Sequence, residues 1–179
     1  MSENNTDGAS YSEQMLESAR RNNTELLLQI KVELKNDNVK LSHLINTTSE
    51  VITMNSPLHI GCQLGNWEWL DIVLDIEGVE IDHKNRRGQT PLHLAVMYAN
   101  NEPDHGTFIV DNLLDAGANP TITDSDNLKP INYISTPNEK LSQLLESAEY
   151  AISMEIPPET QLDMLDDKDD TPSDSDEDV

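Results

Sequence analysis

Among the residue types able to do chemistry, the chain offers five histidines and one cysteine. His59 and His93 recur in the same setting, Asn55-Ser-Pro-Leu-His59 and Gln89-Thr-Pro-Leu-His93, so repetition of a structural unit accounts for both. His43, His83 and His105 stand alone, without a second ligand one helical turn away, and a metal needs several converging donors. Cys62 falls at a small-residue position of a helical segment, which makes it a buried, inert thiol rather than a nucleophile. The run Asp124-Ser-Asp126-Asn-Leu128 starts like a calcium loop. Lys129 then stands where such a loop needs glycine and Ser135 where it needs its last carboxylate, so a hairpin is the better reading. Neither G-x-x-x-x-G-K-[ST] nor G-x-G-x-x-G occurs. The expectation is no catalytic residue, no cofactor and no metal: not an enzyme.

Charge narrows the partners. The chain has 179 residues, 34 acidic against 11 basic, for a formal charge of -23. That excess repels phosphate backbones and anionic lipid, so nucleic acid and membrane are excluded as first guesses and a basic protein becomes a candidate partner. The opening residues show no secretory leader, and no apolar run reaches the roughly 18 residues of a spanning helix. A lone cysteine suits a reducing compartment, the cytosol or nucleus. Three N-x-S/T triplets, starting at Asn4, Asn22 and Asn46, are chance matches in that setting.

Both ends lack hydrophobic periodicity. Residues 1–11 are expected to be a disordered start, and residues 155–179, with eleven acids against Lys168 alone, a solvated tail. Within that tail Ser173 and Ser175 each precede an acid by three residues, Asp176 and Asp178, which makes them candidate phosphorylation sites for acid-directed kinases.

The body, 12–154, repeats itself. Pro57 and Pro91 lie 34 residues apart, and a degenerate copy, Leu128-Lys-Pro-Ile-Asn132, puts Pro130 39 residues further on. Against a period of about 33, the surplus falls in 75–82 and in Asn100–His105. With Arg87-Gly-Gln-Thr-Pro-Leu-His-Leu-Ala95, Leu113-Leu-Asp-Ala-Gly-Ala-Asn119 and Gly65-Asn66, the chain resembles the ankyrin-repeat family, and most nearly small fungal members of unassigned role. The resemblance implies an all-α solenoid of about four helix-turn-helix repeats (about 12–35, 54–83, 88–121 and 127–153) with short hairpin tips.

Local chemistry agrees with that frame. Ser56 and Thr90 can cap helices, Pro57 and Pro91 fit the first helical position, Leu58 and Leu92 bury, and Gly65 and Gly117 suit helix ends. By resemblance, His59 and His93 hydrogen-bond between neighbouring repeats. Met15–Asn23 and Thr24–Ile30 form an N-terminal cap, joined through 36–53 with a short helix at Val39–Ile45. Asn138–Ser153, with Leu141, Leu144, Leu145, Ala148 and Ile152 on one face, caps the other end. Asn100–Gly106 is expected to lengthen the loop between the two helices of the third repeat.

The resemblance also implies where a partner binds. Tip positions are Ile52, Thr53 and Asn55; Arg86, Arg87 and Gln89; Ser125, Asp126 and Leu128. First-helix positions are Gln63 and Leu64, then Met97 and Tyr98. The middle group combines a basic pair with an adaptable Met97 and an aromatic Tyr98. The competing reading has Lys84, Arg86 and Arg87 solvating a tip while Tyr98 packs under the insertion. Trp67 is expected between repeats and Trp69 partly exposed. The function expected is a monomeric adaptor that binds a protein on its concave face. The alternative is an acidic holding chaperone or assembly factor for a basic client such as a ribosomal protein or histone.

Overall fold

The computed structural model describes residues 8–155. Eight α-helices follow in order: α1 Tyr11–Arg20, α2 Thr24–Glu33, α3 Asn38–Thr47, α4 Pro57–Leu64, α5 Trp67–Leu74, α6 Pro91–Ala99, α7 Pro103–Asp115 and α8 Glu139–Glu155. One turn of 3-10 helix, Pro130–Tyr133, precedes α8, and there is no strand among the described residues. Antiparallel pairs (α1 with α2, α4 with α5, α6 with α7) stack side by side, α1 on α4, α4 on α6 and α6 on the 3-10 turn.

Capping sets the helix boundaries. Ser56 accepts the His59 backbone N–H, Pro57 takes the first helical position, and Gly65 ends α4 in the left-handed region at φ 68°. Asp37 caps α3 through Val39 and Lys40, and the helix starts one residue before the expected segment and ends two residues after it. At the N-terminus Ser10 and Glu13 form a reciprocal cap. Helix therefore starts at Tyr11, inside the stretch expected to be unstructured; 1–7 lie outside the described residues. At the other end α8 continues through Glu155, the first residue assigned to the tail.

Three further expectations are corrected. Asn100–Gly106 is not an extended loop. Pro103 starts α7 and Asp104 lies in its first turn, so the extra residues become helix and only 100–102 connect. Gly106 makes this possible, because a Cβ there would run into the Ala99 backbone where α6 and α7 approach. The last repeat replaces its first helix with the 3-10 turn, since Pro137 disfavours helical backbone at Thr136 and cannot supply an N–H. Trp69, expected to be partly exposed, is fully buried, and its indole N–H donates to Ser18 Oγ at 3.0 Å across the α1–α5 junction.

The core runs continuously through the stack, from Met15 and Leu27 through Leu58, Leu70, Leu92 and Ile109 to Leu141 and Leu145. Each repeat is too thin to bury its own apolar face, and stacking closes it. Rigidity of that stack is what holds the tips in fixed relative positions.

Candidate protein-binding cleft

Each tip is closed by its own backbone hydrogen bonds: Glu50 N–H to Asn55 O, Asn85 N–H to Gln89 O, and Asp124 N–H to Leu128 O, all 2.9 Å. The turns need left-handed residues, supplied by Met54 (φ 56°), Gly88 (φ 72°) and Asn127 (φ 63°). Two rungs then stitch the tips together, Arg86 N–H to Thr53 O at 2.9 Å and Ser125 N–H to Arg87 O at 3.0 Å. Asn85 braces the middle tip by accepting the N–H groups of Arg87 and Gln89. Asp124 does the same for Asp126 and Leu128, and also accepts the Tyr133 hydroxyl. Burial opposes the Asp124 charge, but the Tyr133 hydroxyl and these two N–H groups outweigh it and hold the carboxyl below its ordinary range. Its carboxylate is engaged by the hairpin backbone and by Tyr133 of the following turn.

Between the tips and the first helices opens a cleft of about 400 Å³, lined by Ile52, Thr53, Asn55, Gln63, Asn85, Arg86, Arg87, Gln89, Leu94 and Met97. It brings together Ile52, Asn55, Arg86, Arg87, Gln89 and Met97 from the expected binding set, along with Thr53 and Gln63. Arg86 and Arg87 are exposed on its rim, with Lys84 beside them in the chain. The Arg87 guanidinium lies 3.9 Å from Asp126, with both side chains largely in solvent, a pair worth well under about 1 kcal/mol and readily exchanged for another carboxylate. Ile52, 79% exposed, offers an apolar rim, and Met97 and buried Leu94 an apolar floor.

Other members of the set lie elsewhere. Asn55 and Gln89 line the cleft but are buried, 7% and 3% exposed, and their amide oxygens are committed. Asn85 Nδ2 donates to both, at 2.9 Å and 3.3 Å, and Gln89 Nε2 donates to the Tyr133 hydroxyl. They brace the tips. Tyr98 turns away from the cleft. Its ring covers Gly65, where any Cβ would collide with it, and its hydroxyl meets His105 Nδ1 at 2.8 Å. Tyr98 thereby packs on the preceding repeat and against α7. Leu64 and Leu128 are exposed but do not line the cleft, and Ser125 and Asp126 sit on the third tip. Ser173 and Ser175 lie outside the described residues.

Two lining residues escaped the sequence reading. Leu94 precedes Met97 by three positions on α6, a spacing that puts both on one face. Asn85 precedes Thr90 by five residues as Asp124 precedes Lys129, a recurrence that could have marked both as tip braces.

The chemistry-bearing residues serve the stack. His59 Nδ1 accepts the Ser56 N–H at 3.1 Å while Nε2 is 2.8 Å from the Gln89 carbonyl, so the ring is the neutral tautomer with its proton on Nε2. Burial first, then the nearby His83 and His93, push its pKa down to about 4 against the pull of that carbonyl. His93 repeats the arrangement one unit on, between Thr90 and the Leu128 carbonyl, and burial lowers it also. Burial pushes the Cys62 thiol well above its ordinary range, so it holds no thiolate for attack.

Comparison with known proteins agrees with this architecture. The family model described as "Ankyrin repeat" matches residues 87–125, which run from within the middle tip through α6 and α7 to the start of the third tip. Over 151 residues the chain is 46% identical to the "Ankyrin repeat-containing protein YGL242C" of Saccharomyces cerevisiae, an alignment covering 83% of this chain and 83% of that one. The chain belongs to the ankyrin-repeat family.

Proposed function

We propose that this chain is a protein-binding adaptor whose cleft between the first two tips and the first helices takes an extended partner segment. Ankyrin repeats are generally protein–protein interaction modules and generally non-catalytic. One observation carries the finer reading: two exposed guanidiniums stand over an apolar floor and rim of Leu94, Met97 and Ile52. Such a surface suits a segment with an apolar side chain beside Asp or Glu. The apolar group desolvates in the cleft, while each carboxylate meets a guanidinium in fork geometry. Aliphatic side chains and Met adapt to varied anchors, which favours an adaptor over a single-substrate pocket.

The second reading, an acidic holder of a basic client, is supported by the net charge of -23. Long-range attraction would steer such a client, but Arg86 and Arg87 would repel it at the cleft. A reducing compartment, cytosol or nucleus, goes with either reading, since Cys62 has no cysteine partner within the chain.

Selection of displayed peptides on the full chain tests the two. The adaptor reading expects peptides pairing Leu, Ile, Met or Phe with acids, lost on Arg86→Glu/Arg87→Glu. Recovery of Lys/Arg-rich peptides that tolerate that double variant would sink it in favour of the holder.

A further inference from the structure

We propose that the cleft is occupied in the free protein by the chain's own segment Leu162-Asp-Met-Leu-Asp-Asp167, which a partner must displace. This rests on the adaptor reading of the cleft.

Complementarity comes first. The cleft rim carries Arg86 and Arg87 on a chain of charge -23, a local inversion of sign. Residues 155–179 hold the densest run of acids, eleven against Lys168. Within that run Leu162, Met164 and Leu165 gather three apolar side chains, interleaved with Asp163 and followed by Asp166 and Asp167. The chemistry the cleft calls for, apolar anchors beside carboxylates, is therefore written in the chain itself.

The path is short. Lys129, at the base of the third tip, reaches Glu149 of α8 at 2.8 Å, so α8 passes beside the tips while still helical. Six residues on, α8 ends at Glu155, about 9 Å further along its axis. Leu162 to Leu165 follow seven to ten residues later, an extended reach of about 25–35 Å. The third tip is in backbone contact with the middle one through Ser125 and Arg87, so the cleft begins one tip away.

Tethering makes a weak contact sufficient. A short linker holds the segment at an effective concentration on the order of millimolar, so an intrinsic Kd near that value already fills half the clefts. An external partner would then bind with its apparent affinity reduced by the free fraction.

Nitroxide labelling tests this in the full chain. Cys62 is fully buried, so Thr171→Cys gives a single reactive thiol beside the segment. At low salt the amide signals of Thr53, Arg86, Arg87 and Met97 are expected to broaden. They should regain intensity with Leu162→Ser/Met164→Ser/Leu165→Ser and, separately, with Arg86→Glu/Arg87→Glu. Broadening confined to the end of α8, or cleft broadening indifferent to both variants, would overturn the proposal. So would equal broadening in a mixture of isotope-labelled unlabelled-tail and spin-labelled unlabelled-isotope chains, because the segment would then bind a second copy. Absent cleft broadening with intact peptide selection removes this proposal alone. Cleft broadening with no peptide selected, even on the Leu162/Met164/Leu165 variant, removes instead the adaptor reading.

Discussion

His59 gives the sharpest test, because its geometry converts into a pH dependence of known sign. The ring is fully buried, accepts the Ser56 N–H on Nδ1 and gives its Nε2 proton to the Gln89 carbonyl. A second ring proton would have to sit on Nδ1, against a backbone donor, at a fully buried position. The native pKa is accordingly about 4, against 6.5 for the exposed ring. Above pH 6.5 both states are neutral and the contribution of the neutral ring is complete. As pH falls from 6.5 towards 4 the unfolded chain takes up a proton that the native one refuses, so stability declines. Below about 4 both states are protonated and no more is lost.

The loss from this one ring is about 1.4 kcal/mol at pH 5.5 and about 2 kcal/mol at pH 5. Carboxylate titration on so acidic a chain also moves stability, so the measurement is a difference. Urea unfolding of wild type and His59→Gln is followed from pH 7.5 to 5. At pH 7.5 the variant is expected to be less stable by about 2–5 kcal/mol, from a lost inter-repeat bond and buried groups left unpaired. By pH 5 that gap should have closed by about 2 kcal/mol. Imidazole nitrogen shifts should show the Nε2–H neutral tautomer persisting over the same range. A gap independent of pH would refute the reasoning, since it would mean that His59 titrates alike in both states.

Other perturbations separate packing from surface. Trp69→Phe should cost about 2–3 kcal/mol in urea unfolding, through a cavity and the loss of the indole N–H bond to Ser18, whose hydroxyl keeps its bond to the Met15 carbonyl; a cost under about 0.5 kcal/mol would contradict burial at the α1–α5 junction. Gly65→Ala should cost more than the roughly 1–2 kcal/mol of left-handed backbone alone, because its Cβ meets the Tyr98 ring. Combined with Tyr98→Ala, the two costs should fall short of their sum; strict additivity would show that the ring does not cover Gly65. Arg87→Glu should shift stability by no more than about 0.5 kcal/mol, since its ion pair with Asp126 is exposed, while abolishing capture of acidic-apolar peptides selected on the wild type. A large melting shift with binding retained would place Arg87 in the scaffold instead.

What the sequence made legible was whatever depends on near neighbours. Ser56 and Thr90 precede proline at a helix start, and the histidine three residues on closes each cap, so the repeat could be read from five consecutive residues. Gly65 and Gly117 likewise declare helix ends by local backbone demands. Facing is different, because it depends on a residue one repeat away. Trp69 is inside because Ser18, 51 positions earlier, offers its indole an acceptor. Tyr98 leaves the cleft because Gly65, on the preceding repeat, leaves a hollow the size of a ring. The fate of Asn100–Gly106 was nearer to legible, since Pro103 followed by Asp104 is a helix start and Gly106 the small residue a close crossing needs. The cleft itself follows the same rule. Its rim is held by Arg86 N–H to Thr53 O and Ser125 N–H to Arg87 O, rungs made by backbone alone that leave no mark on side-chain identity. Those rungs spend the main chain on stitching the tips and leave the side chains of Arg86 and Arg87 exposed, the first reaching the Val51 carbonyl at 3.4 Å and the second beside Asp126. Side chains on the rim can therefore vary on this scaffold without altering it, and on the adaptor reading proposed above a charge inverted against the rest of the chain is the feature that would select the partner.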